Sequence, residues 1–206
     1  MKERGKERQG FISKVLSVIS GRPDIDDRRE EEEQLEPKDS DPIDLRFVKR
    51  FTKAGGKFIY CAGVEELQQS LVEIAQELDC QNAFCASNQC LEILEDLDHP
   101  FTYSSAKDAE VFLTDCESLV AFNGGIMITA RQKGGKKPDE LPRNVVAIAY
   151  SDQLVDKLND GLTLIRERYK DDIPTQITTI HGPKQSVQTD STQTQWRNLF
   201  LLLTER

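Results

Sequence analysis

Long hydrophobic runs are missing from this 206-residue chain, and so is any excess of positive charge. No apolar stretch approaches the roughly 20 residues of a membrane-crossing helix, so no transmembrane segment is expected. Bases number 27 against 36 acids, a formal net charge of −9. Binding along a nucleic-acid backbone needs a positive field, so that class is set aside. Neither a P-loop nor a GxGxxG fingerprint occurs. The cysteines Cys61, Cys80, Cys85, Cys90 and Cys116 are odd in number and lack tight Cys-x2-Cys pairs, which speaks against a disulfide framework and against the common zinc spacings. What is present is a length that supports one domain with a sizeable core, carried by 37% apolar residues.

The first 44 residues differ from the rest. Lys2, Arg4, Lys6 and Arg8 precede the apolar stretch Phe11–Ser20, in the manner of a signal peptide. Lys14 interrupts that stretch and no small-x-small site follows closely, so a cytoplasmic protein with reduced thiols is the expectation. Phe11, Ile12, Val15, Leu16 and Ile19 recur at helical spacing, so residues 1–22 read as a basic amphipathic segment that docks on its own domain or on a partner subunit. Residues 23–44 carry eleven acids against three bases. The run Glu30–Glu33 repels itself, and Pro23, Pro37 and Pro42 oppose a continuous helix, so an acidic flexible linker is expected there. The folded domain is then 45–206.

From Asp44 the pattern becomes that of an α/β protein. Phe47, Val48 and Phe51 mark a helix edge. The turn pair Gly55-Gly56 leads into a short strand, Lys57–Ala62. Val64, Leu67, Leu71, Ile74 and Leu78 trace an amphipathic helix. Ala83–Ala86 reads as a strand, and Ser87 can cap a helix carrying Cys90, Leu91, Leu94 and Leu97. This alternation predicts a mainly parallel sheet flanked by helices. Ala109–Thr114 fits a strand or a helical turn. Ser118–Phe122 and Ile126–Ala130 flank Asn123-Gly124-Gly125, which predicts an antiparallel hairpin. Val145–Tyr150 reads as a strand covered on both faces. Asp152 is expected to cap a helix whose buried face is Leu154, Val155, Leu158, Leu162 and Ile165. Ile177–Ile180 and Asn198–Thr204 complete the strands.

The stretches CESLVAFNGGIMI (116–128), LPRNVVAIAYSDQLVDKLNDGL (141–162), RYKDDIP (168–174) and ITTIHGP (177–183) together resemble the LUD-domain family, the lactate-utilisation proteins of the LutC type. The Cys-Glu opening and the Asp-Gln-Leu-Val helix start are similar to Bacteroidetes-type members. The resemblance implies a fold of the NagB/RpiA/CoA-transferase-like kind. It also exposes departures. The family's Thr-Gly-Ser/Thr turn stands here as Asn123-Gly124-Gly125, without hydroxyls. Its Gly-Pro-Ser-Arg-Thr-Ala-Asp-Ile-Glu loop stands as Gly182-Pro183-Lys184 through Asp190, with Lys184 for serine, Gln185 for arginine and Gln188 for the internal aspartate. The later His-Gly-Pro turn has no counterpart in Ser191–Arg197.

Candidate ligand-binding residues follow from the two loops: Asn123, Gly124, Gly125, Gly182, Pro183 and Lys184. Glycine lets backbone N–H groups approach an anion, and Lys184 offers a point charge to a carboxylate or phosphate. The plainer readings are a hairpin turn and an exposed lysine. His181 could act as a base, though a histidine at a strand end is commonly just hydrogen-bonded in place. Arg131, Lys133, Lys136 and Lys137 are read as a mobile basic turn. The Cys-x4-Cys-x4-Cys series Cys80, Cys85, Cys90 is read as core packing, with no metal and no cofactor bound. Cys116 beside Glu117 is read as structural, because a carboxylate disfavours the thiolate.

Two functional readings stand from the resemblance, and no catalytic residue is assigned. One is an accessory or ligand-binding component of a lactate-utilisation-type system, with eroded family loops. The other is an enzyme component taking part in L-lactate oxidation to pyruvate together with iron–sulfur partner proteins, which would have to supply the electron carriers. A ligand-sensing module of unrelated metabolism is a third class. The domain boundary is testable: limited proteolysis should cut within 20–44 first and leave a core beginning near Asp44, whereas an earlier cut within Val64–Leu78 would contradict it.

Overall fold

The computed structural model describes residues 36–95, 97–170, 172–184 and 196–206. The basic amphipathic segment 1–22, residues 23–35 of the acidic stretch and loop residues 185–195 lie outside the described residues. Residues 36–41 carry acids that meet the basic side of the first helix: Asp41 pairs with Lys49 at 3.1 Å and Glu36 with Lys53 at 2.7 Å.

Helix α1 spans Ile43–Lys53 and buries Phe47, Val48 and Phe51. A turn through Gly55, at φ +88°, reverses the chain into β1, Lys57–Cys61. Helix α2, Val64–Leu78, buries Leu67, Leu71 and Ile74 and stops at Asp79 in the left-handed region. Strand β2, Asn82–Phe84, leads to α3, Asn88–Glu95, where the Ser87 Oγ accepts the Cys90 N–H at 3.2 Å. That serine is the cap the sequence suggested. Strands β3 (Thr102–Tyr103) and β4 (Val111–Thr114) follow, then β5 (Ser118–Val120) and β6 (Gly125–Ile128). The short helix α4, Ala130–Lys133, precedes β7, Asn144–Tyr150. Strand β8 is Leu154–Val155, helix α5 is Leu158–Tyr169, and β9 (Thr178–Ile180) and β10 (Asn198–Thr204) complete the elements.

Six strands form a wholly parallel sheet in the order β1-β10-β7-β4-β2-β3. The period-2 alternation of strand side chains divides its core in two. Val145, Ala147 and Ala149 of β7 and Leu199, Leu201 and Leu203 of β10 face α1 and the second sheet. Val146, Ile148, Phe200 and Leu202 face α2 and α3. The second sheet runs β8-β5-β6-β9, and the expected antiparallel hairpin is its centre, β5 paired with β6. Its outer face, with Val120 and Met127, meets Ile165 of α5. The single α/β domain expected from the alternation is therefore present, with the hairpin in a separate mixed sheet.

Two local expectations are corrected. The helix expected from Asp152 begins only at Leu158, because Ser151–Gln153 form a 3-10 turn and Leu154–Val155 pair with β5. The buried Gln153 side chain explains this: it accepts the Tyr150 N–H at 2.7 Å and donates to the Cys116 carbonyl at 2.5 Å, pinning the turn beside β5. The hairpin strands are also shorter than expected. Ala121 and Phe122 donate instead to the carbonyls of Val155 and Asp156, so the β5–β6 ladder ends at the Val120–Gly125 pair.

The central strand gives a stability test. Leu201 is fully buried, and Leu201→Ala removes three carbons from the α1-side core. The expected loss is about 2–5 kcal/mol, read as a lower urea midpoint at unchanged m.

Candidate functional site

The Asn123–Gly125 turn and the Gly182–Lys184 loop meet at the C-terminal turn of α1. Gly124 adopts φ +63°, and a Cβ there would come within 2.5 Å of the Phe51 backbone nitrogen. A Cβ at Gly182 would strike the Ala54 carbonyl and lie 2.6 Å from the Gly56 nitrogen. The Lys184 N–H donates to the Ala54 carbonyl at 2.7 Å, and the stem of its side chain passes over Gly55. Pro183 lies between these two contacts. His181 joins the loops: its ring is packed against Gly125, and Nδ1 is buried without a partner. Burial holds its pKa below the ordinary value, opposed by the backbone of Asn123, so the neutral ring is favoured.

All six sequence-predicted residues therefore share one junction. The donors they were expected to offer are in part used within the protein. The Gly125 N–H goes to the Asn123 Oδ1 at 3.1 Å, and the Lys184 N–H is spent on α1. The Lys184 side chain remains exposed. Its charge also complements the carbonyl end of α1.

The basic segment 131–137 is not uniformly a mobile turn. Lys133 is only 2% exposed, with its Nζ 3.1 Å from Thr178 Oγ1. Burial lowers its pKa. Arg131 pairs with Asp172 and lies over the Tyr169 ring, and Lys136 lies over Phe84. The capping box at Thr129 fixes the start of α4 and so turns Lys133 inward.

Sequence reasoning missed a buried polar cluster beyond the carboxyl ends of β2 and β4, the end of a parallel sheet where ligands commonly sit. Glu117 is 1% exposed and accepts from Gln132 Nε2 at 2.9 Å, Tyr169 Oη at 2.9 Å and Arg168 at 2.7 Å. Asp115 is 3% exposed. Its Oδ1 has no partner. Burial raises the Asp115 pKa, against the polar side chains of Ser87 and Gln132 and with help from the Glu117 charge. Cys116 between them is wholly enclosed and burial pushes its thiol well up, consistent with a structural role. The available signal was two acids, Asp115 and Glu117, inside the strand-forming run Val111–Phe122, which is apolar at both ends. A separate cleft of about 480 Å³ runs along α3 and is lined by Leu91, Glu92, Glu95, His99 and Tyr103. Its carboxylates make it unsuited to an anion. Among the described residues there is no His/Cys/Asp/Glu group able to hold a metal ion, and no helix long and apolar enough to cross a membrane.

With this architecture in view, the chain is an α/β protein whose residues 45–198 match the LUD domain. It belongs to the LUD-domain family. Its fold is similar to the crystal structure of a DUF162 family protein from Deinococcus radiodurans, at 17% identity and a TM-score of 0.53, over 79% of this chain and 96% of that one. Among curated proteins none matches significantly.

Asp115 generates a pH prediction. Its raised pKa means the native state binds more protons than the unfolded state just above the ordinary value of 3.8. Stability contributed by this group therefore falls as pH rises through that window. Asp115→Asn removes the titration, so the variant should gain stability relative to wild type as pH rises from 4 toward 7. Urea unfolding across pH reads this; parallel curves for the two proteins would refute it.

Proposed function

We propose that this chain is an accessory, ligand-binding component of a lactate-utilisation-type system, taking a small carboxylate beside Lys184 and working with iron–sulfur partner proteins. One observation carries the reading. The two loops of the family pattern keep their places, but Gly125 and Lys184 have turned their main-chain donors onto the protein itself. Among the described residues, the exposed Lys184 ammonium offers a cation at the junction. A single point charge attracts an anion without orienting it closely, which suits recognition better than chemistry. Electron carriers for any lactate oxidation would then come from the partners.

The reading is tested by calorimetric titration with L-lactate, and with inorganic phosphate as the second anion. A hydrogen bond to a charged group contributes about 1.5–3 kcal/mol. Lys184→Ala should therefore weaken binding about tenfold, while Lys136→Ala, a surface-charge control, leaves it unchanged. Equal binding by all three proteins places the site elsewhere. The isolated chain should also fail to oxidise L-lactate with an artificial electron acceptor; turnover by the chain alone would replace the accessory role with an enzymatic one.

A further inference from the structure

The cleft along α3 stands apart from the loop junction, and its chemistry is the opposite. It measures about 480 Å³, within the usual range of small-molecule sites. Leu91, Leu94 and Leu97 give it an apolar floor; the last two are buried and Leu91 is half-buried. Glu92 and Glu95 stand three residues apart on α3, so their side chains are neighbours on the helix surface. Both line the cleft and are exposed, and among the described residues neither has an ion pair or a hydrogen bond.

The remaining wall is a pair of rings, His99 and Tyr103, brought in by β3 and the segment before it. The Phe101 N–H donates to His99 Nδ1 at 3.2 Å, which leaves the proton of the neutral ring on Nε2. That nitrogen lies 3.2 Å from the Tyr103 Oη, so it donates to the phenol oxygen and frees the Tyr103 O–H for another acceptor. Burial holds the His99 pKa below its ordinary value, against the charge of Asp98, so this wall carries no positive charge at neutral pH. The rings meet edge on with centroids 5.7 Å apart, and Tyr103 stays 45% exposed. Two unpaired carboxylates attract a cation, and an aromatic face within about 6 Å adds to the attraction. A bare metal ion does not fit: among the described residues no His, Cys, Asp or Glu group is arranged to hold one, and it would leave the three leucines unused.

We propose that the α3 cleft binds a small organic cation, a primary ammonium carried on an unbranched apolar chain. The three N–H donors of the ammonium go to Glu92 and Glu95, and the chain lies along the leucine floor beside Tyr103. Removal of that chain from water supplies the apolar part of the affinity, and the carboxylates supply the preference for charge. The site does not rest on the anion-binding role of the loop junction.

The experiment titrates the full chain with n-hexylammonium chloride at neutral pH and low ionic strength, followed by two-dimensional amide NMR. Saturable shifts are expected at Leu91, Glu92 and Tyr103, and added salt should weaken them. n-Hexanol, which has the same chain without the charge, should bind about tenfold more weakly, and hexanoate more weakly still. Glu92→Gln and Glu95→Gln should each weaken hexylammonium binding about threefold, and the double variant about tenfold. Tyr103→Leu should cost about threefold. All three side chains are exposed, so the variants keep the fold, which unchanged amide positions away from α3 verify. Equal binding of hexylammonium and hexanol, unchanged affinity in the double variant, or shifts that leave α3 untouched overturn the proposal.

Discussion

Strand β10 is the element on which both cores depend. It lies between β1 and β7, with Phe58 opposite Leu201 on one side and Val146 opposite Phe200 on the other. Leu199, Leu201 and Leu203 belong to the core beneath α1, and Phe200 and Leu202 to the core beneath α2 and α3. Without it β1 becomes detached, because the β1–β10 ladder is the link from that edge to the rest of the sheet. Residues 57–61 and 198–204 are far apart in sequence, so this pairing carries a large loop-closure cost that must be met before the cores reward it. The junction of loops at α1 depends on the same strand, since α1 is positioned against the face that β10 completes.

Such a strand is legible in sequence for a physical reason. A strand buried on both faces has no polar side to write, so NLFLLLT and VVAIAY stand out as unbroken apolar runs. The helices from Val64 and Asn88 were legible from spacing and from the Ser87 cap. The two-residue strand β8 was not. Leu154 and Val155 fit the helical series that continues to Ile165, and the deciding interaction is the Gln153 side chain reaching the Cys116 carbonyl, 37 residues away in sequence. Periodicity also could not assign β5, β6 and β9 to a second sheet, because alternation reports a strand's faces and not its neighbours.

The loop junction was partly legible. The family pattern marked both loops, and the strand-end argument put them near each other. What it could not supply was the third party. Gly55 and Gly56 read only as a turn before β1. In the structure a side chain at Gly56 would strike the Phe51 ring, and the backbone of Gly182 packs onto Ala54 and Gly56. The glycines at 124 and 182 let their loops approach the end of α1 at backbone distance, where a Cβ has no room, while Gly56 leaves space for the Phe51 ring. Close main-chain packing of this kind consumes N–H groups that an isolated reading of each loop leaves available to a ligand.

Asp115 and Glu117 show why the buried cluster behaves as two halves. Both acids leave the parallel sheet in the same short segment, and both are removed from water. Glu117 receives three donors from α4 and α5, so its charge is compensated where it lies. The net stability from such a pair is small once desolvation is counted, but the demand for three directional partners fixes how α4 and α5 meet β5. Asp115 receives fewer and keeps one oxygen unpartnered, at the end of the sheet beside Ser87. The fold thus spends one carboxylate on joining its second sheet to the helices around it. The other stays uncompensated beside β2 and β4, where its charge acts on Cys85 and Cys90 alike. The ends of β2 and β4 thus hold a buried acid that the apolar pattern around them conceals.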